Sequence, residues 1–379
     1  MKVLVVVRQP HPNLCGIVHG LKQSGYAVGV AAFSSRKGCD ELDGLKPCYL
    51  NYSVWSKYIY SGKNRHIYGI PSLRSLFFIF FTFKPNIIIL RTFRRPYLLI
   101  STIGLIFRIK IVFLSAKEKY LKDQGEINLY ERLRSSIVRF FSYLKLAPTA
   151  IIFATEDLTS GGSKTWMMPG VSYAWACYPV LPGVRSRFDD FDSKSKFRIL
   201  VVTGFNNQRK QPWLIIEALE YMNYRDKVSI YFVGFGTENS DGARKVVGAA
   251  EKIGFNSYEV SYNFSMDEVK SYMDTCDLLV SPAKNERFGM IVPEALSMGL
   301  PVVCSDTFGA RCYVEKSGAG TIFRTDDAID LAHKIDSIVG DSERLQEMKK
   351  RALEYAELEL RPSAWVRKFE MLIRDEKKS

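Results

Sequence analysis

The sequence predicts an α/β protein made of two doubly wound domains with parallel sheets, and three observations carry that expectation. Short apolar runs of strand length alternate with helix-like segments in both halves, as parallel strands joined by crossover helices do. The 379 residues exceed what a single hydrophobic core usually organises. The alternation is interrupted at Tyr178-Pro-Val-Leu-Pro182-Gly183 and the polar stretch 185–196, after which a fresh strand begins. The expected first domain is therefore 1–182, and the second starts at 183.

In the first half, strands are expected at 3–7, 28–33, 87–90, 110–114 and 150–153, with an apolar helix at 17–24. The second half supplies strands at 198–202, 228–233, 258–261, 277–280, 301–304 and 320–323. Helices fall between them at 213–221, 266–274, 291–298 and 328–335. Ligands of open parallel sheets bind beyond the carboxyl ends of the strands, so the loops there are where chemistry is sought.

Composition narrows the class. With 47% apolar and 25% charged residues the chain should fold rather than stay disordered. Seven cysteines, with no CxxC pair or zinc-ligand spacing, suit reduced thiols of a cytoplasmic protein. The start Met-Lys-Val-Leu-Val-Val-Val-Arg reads as a first buried strand, so no signal peptide is expected. The net charge of +13 is uneven: residues 1–182 hold 24 Lys plus Arg against 9 Asp plus Glu, and the remainder 29 against 31.

From Gly44 to Ala116 there is no acidic residue, and this stretch carries the apolar runs 76–83 and 97–107. Neither run reaches the ~18 to 20 residues that span a bilayer. Most of their residues are expected inside the first domain. The basic, aromatic-rich surface beside them suits docking on an anionic membrane, peripheral at the cytoplasmic face. A phosphate backbone would attract the same side chains, but no helix-turn-helix, finger or RNP-like motif is present, and no nucleic-acid partner is expected.

The most informative stretch is Ser281-Pro-Ala-Lys-Asn-Glu286-Arg-Phe288-Gly289-Met-Ile-Val-Pro293-Glu294, which continues to Gly299-Leu-Pro301-Val-Val. It runs from a buried strand through a loop into a helix, with Glu286 and Glu294 on either side of the helix start. That start presents unpaired N–H groups and the positive end of the dipole. Two acceptor-only carboxylates flanking an anion site suit a ligand anionic in its middle and hydroxylated at both ends. A second stretch, Val201-Val-Thr-Gly204-Phe205-Asn-Asn-Gln-Arg209-Lys210-Gln-Pro212, places two adjacent cations in the loop after a strand. Positive charge fixed there would stabilise a departing diphosphate.

Glu, seven residues, Glu, with Phe-Gly after the first and Gly-x-Pro-Val-Val after the second, resembles the nucleotide-sugar site of family 4 glycosyltransferases. The resemblance implies the GT-B fold, two doubly wound Rossmann-like domains facing a central cleft. It assigns 1–182 to the acceptor, 183–360 to the nucleotide sugar, and 361–379 to a helix crossing back to the first domain. It implies retaining transfer of a hexose-type sugar from a nucleoside diphosphate sugar, UDP first, to a hydroxyl acceptor such as a lipid-linked or envelope saccharide. Glu286 would engage the transferred sugar, with Phe288, Gly289, Met290 and Ile291 presenting backbone N–H groups. Glu294 would hold the ribose diol. Gly204 and Lys210 match the diphosphate-binding positions, while Phe205 stands where the family has Arg and leaves Arg209 as the second cation. Tyr262 and Gly16 would line the pocket. No cofactor or metal is implied.

Other patterns are set aside on named residues. Val233-Gly234-Phe-Gly236 lacks the third glycine of a dinucleotide fingerprint, since Asn239 stands there. Asp190-Phe-Asp192 mimics a metal motif but lies in the polar segment between domains. His11, His19, His66 and His333 form no hydrolase pattern. Where relatives carry a His or Asp near the reacting carbon, this chain has Ser115-Ala-Lys117-Glu118. Arg91-Thr-Phe-Arg94-Arg95 suits an acceptor phosphate or a basic surface turn equally. An epimerase of the same fold, or a non-catalytic binding protein attached through the basic half, remain the alternatives.

Overall fold

A computed structural model of the chain describes residues 1–35, 41–53, 71–91, 100, 103–104, 106–115, 149–154, 171–181, 196–286 and 288–374. The chain divides into two compact units, Met1–Leu181 with Arg361–Ser379, and Pro182–Leu360.

In the first unit, seven strands form one parallel sheet: β1 (Lys2–Val7), β2 (Ala27–Ala32), β3 (Cys48–Tyr49), β4 (Ile87–Leu90), β5 (Lys110–Ser115), β6 (Ala150–Phe153) and β7 (Ser172–Trp175). Their order is β3-β2-β1-β4-β5-β6-β7, with a reversal of direction between β1 and β4. Every residue of β4 is buried, as the continuous Ile-Ile-Ile-Leu run demands of a strand covered on both faces. Helix α1 (Cys15–Gln23) follows β1, and α2 (Leu73–Phe83) precedes β4. Leu76, Ile79 and Phe80 of α2 join Leu4, Val6, Ile88, Leu90, Ile111 and Phe113 in one core cluster.

In the second unit, six parallel strands follow: β8 (Phe197–Gly204), β9 (Val228–Phe235), β10 (Tyr258–Tyr262), β11 (Leu278–Ser281), β12 (Val302–Ser305) and β13 (Gly320–Phe323). The order β10-β9-β8-β11-β12-β13 turns back between β8 and β11. Helices α3 (Leu214–Ala218), α4 (Asp241–Ile253), α5 (Met266–Thr275), α6 (Ile291–Ser297), α7 (Arg311–Ser317), α8 (Ala328–Val339) and α9 (Ser342–Tyr355) connect and follow them. Helix α5 starts where the sequence says it should: Ser265 accepts from the Glu268 N–H and Glu268 from the Ser265 N–H, a reciprocal capping box.

A last helix, α10 (Pro362–Arg374), belongs to the first unit although it ends the chain. Trp365 and Phe369 are buried and stacked 5.3 Å apart, and Tyr26 donates to Glu370 at 3.0 Å. Lys110 Nζ donates to the Ile373 carbonyl at 2.7 Å.

Two expectations are corrected here. Gly16, expected to line the pocket, is buried in α1, where a Cβ would stand 2.3 Å from the Pro179 carbonyl oxygen. Its missing side chain admits another segment of the same unit. The 76–83 run is only partly interior: Leu76, Ile79 and Phe80 are buried, while Phe77, Phe78 and Phe81 face outward, because the run is helical and a helix turns half its residues away from the sheet.

Candidate active site

The site is built where the second sheet changes direction. Strands β8 and β11 are neighbours in space although 76 residues separate Lys210 from Glu286, and each is followed by a loop at its carboxyl end. Such a switch point leaves a crevice for ligand, because the flanking crossovers depart to opposite sides.

After β8 the chain makes a short 3-10 turn, Gln208–Lys210. Asn207 caps it, its side chain accepting from the Arg209 N–H, and Gln211 ends it in the left-handed region. After β11 the loop runs through Lys284 and Asn285, itself left-handed at φ 52°, to Glu286. Three links join the loops. The Lys284 N–H donates to the Arg209 carbonyl at 2.7 Å, and Arg209 Nη1 donates to the Asn285 carbonyl at 3.1 Å. Lys210 Nζ and Glu286 Oε2 form a half-buried ion pair at 2.8 Å. The structure thus brings together three residues the sequence assigned to catalysis.

The rest of the second loop is held from behind. Gly309 donates its N–H to the Glu286 carbonyl at 2.9 Å, and Ala310 to the Phe288 carbonyl at 2.8 Å. Phe288 is buried edge-on to Tyr313, with ring centroids 5.7 Å apart, so its contribution is backbone and packing. Gly289 sits at φ 84°, and a Cβ there would lie 2.1 Å from the Phe308 ring. Only glycine meets both conditions. Among the described residues, no hydrogen bond takes the N–H groups of Gly289, Met290 or Ile291 at the start of α6.

Glu294 lies one turn into α6, half-buried. Burial pushes its carboxyl up to about 7, with Lys270 opposing the shift. Among the described residues its carboxylate has no hydrogen-bond or ion-pair partner, which leaves a desolvated acceptor beside the open N–H groups.

Gly204 ends β8 and has open space on the side a Cβ would occupy, with only Asn207 nearby at 3.9 Å. Phe205 turns inward, buried in the core beneath Gly236 and Gly242 and edge-on to Tyr262 at 5.2 Å. The position where the resembled family carries Arg is therefore a packing residue, and Arg209 reaches the site by another route. Tyr262, half-buried, ends β10. Asn263 follows at φ 62°, its N–H donating to the Gly234 carbonyl at 2.7 Å, so both residues border the turn after β9.

Sequence reasoning missed the residue that ties the two loops from a third side. Asp326, after β13 and at φ 65°, accepts from Gln211 Nε2 at 2.8 Å and from Lys284 Nζ. These donors flank Lys210 and Glu286 in sequence. Both partners hold its carboxyl below the usual range. A lone Asp after a strand carries no motif, so only the strand order exposes its place. Around it, Thr307 Oγ1 contacts Thr325 Oγ1 at 2.8 Å and accepts from the Asn285 N–H at 3.0 Å. Asp190, Asp192, Arg287 and residues 92–95 and 116–118 lie outside the described residues. Among those described, no three His, Cys, Asp or Glu side chains gather as metal ligands.

Two parallel-sheet units of Rossmann-like order, the second with a charged pair at its switch point, define a GT-B fold. Over residues 185–355, which include Lys210, Glu286 and Glu294, the chain matches the family model described as Glycosyl transferases group 1. It is similar to the lipopolysaccharide glucosyltransferase WaaG of Escherichia coli, with 30% identity over 131 residues, 34% of this chain and 33% of that protein. It is also similar to an N,N'-diacetylbacillosaminyl-diphospho-undecaprenol alpha-1,3-N-acetylgalactosaminyltransferase of Campylobacter jejuni, at 27% over 132 residues, 35% of this chain and 33% of the relative. The chain thus spans about a third of the length of these curated relatives. Among solved structures it resembles Anabaena Alr3699/HepE in complex with UDP and glucose, with TM-score 0.66 and 16% identity over 99% of this chain and 100% of that one. A glycosyltransferase from Rickettsia africae gives TM-score 0.70 at 14% identity, covering 100% and 99%. At these identities the likeness is one of fold.

Proposed function

We propose that the protein is a retaining glycosyltransferase that moves a hexose-type sugar from a nucleoside diphosphate sugar, with uridine as the base, to a hydroxyl of a lipid-linked or cell-envelope saccharide. One observation carries the reading: Lys210 and Glu286 meet at the switch point beside three backbone N–H groups and the Glu294 carboxylate, none of which has a hydrogen-bond partner among the described residues. The uridine and the acceptor class draw on the relatives, one solved with UDP and glucose, two named for lipopolysaccharide and diphospho-undecaprenol acceptors. By the same resemblance the first domain serves the acceptor.

In this reading, donor binding opens the Lys210–Glu286 pair. Glu286 exchanges Lys210 for hydroxyls of the transferred sugar, and Lys210 turns to the diphosphate. The N–H groups of Gly289, Met290 and Ile291 meet phosphate and sugar oxygens, and Glu294 accepts from the two ribose hydroxyls. Tyr262 and Gly204 border the nucleoside. Once the donor is bound, charge on the leaving group is met by Lys210, Arg209 and backbone dipoles already in place, so the chemical step itself needs no further reorganisation and no metal ion enters the scheme.

The chemical step is a front-face displacement. The bond from the anomeric carbon to the diphosphate oxygen breaks, its electron pair staying with that oxygen. The acceptor hydroxyl oxygen bonds the anomeric carbon on the same face, and its proton passes to the departing phosphate oxygen. Configuration is kept without a protein nucleophile. The test is incubation with UDP-hexoses and an undecaprenyl-diphosphate-linked or lipopolysaccharide-core acceptor, with product linkage read by NMR. An α-linked product from an α-linked donor is expected. An inverted linkage would refute retention, and isomerised donor with no acceptor consumed would replace transfer by epimerisation.

A further inference from the structure

The outward face of α2 is apolar where a solvated helix should be polar. Leu73, Phe77 and Phe81 recur at every fourth position, and Phe78 lies beside them. Phe78 is 63% exposed and Phe81 61%. Phe77 and Phe81 stack at 5.9 Å, and Phe81 meets Phe107 edge-on at 6.2 Å. Ile106, next to Phe107 in the chain, is 70% exposed. Single exposed apolar residues are ordinary, but a contiguous aromatic cluster marks a surface that is covered in use.

The charges around the patch indicate what covers it. Arg74, Lys84 and Arg108 are exposed on the same two segments. Residues 44–116 hold eleven Lys and Arg and no Asp or Glu. A second copy of this chain would bring the same excess of positive charge into contact, which like-charge repulsion opposes. An anionic lipid leaflet offers hydrocarbon for the rings and phosphates for the rim.

We infer that α2 with Ile106 and Phe107 is a membrane-insertion face, which enters the headgroup boundary of an anionic bilayer and does not merely adsorb to it by charge. At 11 residues α2 is too short to cross a membrane, so the mode is lying in the interface. The inference does not rest on the transferase reading, since lipid binding is measured without turnover.

The test is co-sedimentation of the full chain with phosphatidylcholine vesicles containing roughly one-quarter phosphatidylglycerol, at low salt and at about 0.5 M NaCl. Wild-type protein should keep a substantial bound fraction at high salt. The exposed-site variant Phe77→Ser/Phe78→Ser/Phe81→Ser should bind at least roughly tenfold less there. A second measurement uses the otherwise intact chain: Phe78→Trp should add a blue-shifted emission component with vesicles, quenched by brominated acyl chains. Complete release of wild type at high salt would overturn insertion. So would triple-variant binding equal to wild type, no change at the new Trp, or a wild-type dimer that the triple variant dissolves while vesicle binding persists.

Discussion

Glu286 and Lys210 neutralise each other across their ion pair, and that mutual dependence sets what each substitution does. Lys210→Ala removes the ammonium that stands 2.8 Å from the Glu286 carboxylate. In the proposed reaction it also strips the leaving group of its fixed charge, so kcat should fall roughly 10²- to 10³-fold with a smaller change in KM. Glu294 behaves differently, because among the described residues its carboxylate has no hydrogen-bond or ion-pair partner. Its carboxyl is raised from 4.5 to about 7 by burial, so between those values the folded protein holds a proton the unfolded chain does not. Its stabilising share is therefore complete below pH about 4.5 and lost as pH rises through 7. Glu294→Gln should raise the melting temperature relative to wild type at pH 8 and change it little at pH 4.5. Nucleoside diphosphate affinity should show the reverse dependence, strengthening through pH 7 in wild type, where the ionised carboxylate accepts both ribose hydroxyls, and losing that pH dependence in Glu294→Gln. Thermal melts and calorimetric titrations at the two pH values check the first and the second. Glu286, Glu294 and Lys210 were each legible in the sequence as acids or a cation beside a predicted strand end. The pairing of Glu286 with Lys210 was not, because it depends on β8 and β11 being neighbours in the sheet although the two residues stand 76 positions apart.

At the scale of elements, the site is a set of loops forced into shape. Gln211, Asn263, Asn285 and Asp326 all have positive φ, and each follows a strand of the second sheet at its carboxyl end. Left-handed backbone at four non-glycine residues concentrates strain where geometry must be held. Gly289→Ala would add both a left-handed alanine and a clash with Phe308, and should destabilise the second unit by about 2–5 kcal/mol in urea unfolding. Asp326→Asn keeps volume but loosens Lys284. It should lower kcat more than nucleotide affinity, and Asp326→Glu should recover less than full activity, because the longer side chain misplaces both donors. Sequence patterns located most strands because buried parallel strands read as continuous apolar runs. They missed Cys48–Tyr49, too short to register, and Ser172–Trp175, an edge strand of half-buried residues without a β-branched run. Strands β8 and β9 run further than their apolar runs, since Thr203 pairs with Gly234 and Gly204 with Phe235 beyond the last Val. Helix Asp241–Ile253 went unassigned because Gly242 and Gly248 weaken its pattern. Gly242 is there so that the Phe205 carbonyl can approach, 2.6 Å from where a Cβ would stand.

For the whole molecule, the return of α10 to the first unit makes its stability depend on the last residues of the chain. Truncation after Leu360 removes Trp365, Phe369 and the Glu370 and Ile373 partners of Tyr26 and Lys110. Amide exchange should then quicken across β1 and α1 while β8 to β13 stay protected. The charge asymmetry, +15 in residues 1–182 against −2 in the remainder, was readable from the sequence, whereas the outward aromatic face of α2 was not. Apolar runs report that residues avoid water, without saying whether protein or lipid provides the shelter. The central claim is that the switch point between β8 and β11 holds a nucleoside diphosphate sugar. Its most direct measurement is calorimetric titration of UDP, GDP, ADP and CDP, each compared with its nucleoside, into wild type, Lys210→Ala and Glu294→Gln. One diphosphate should bind well and its nucleoside much more weakly, with Lys210→Ala losing roughly tenfold or more on the diphosphate alone and Glu294→Gln losing on both. Binding that is equal for diphosphate and nucleoside, or unchanged in both variants, would contradict the account.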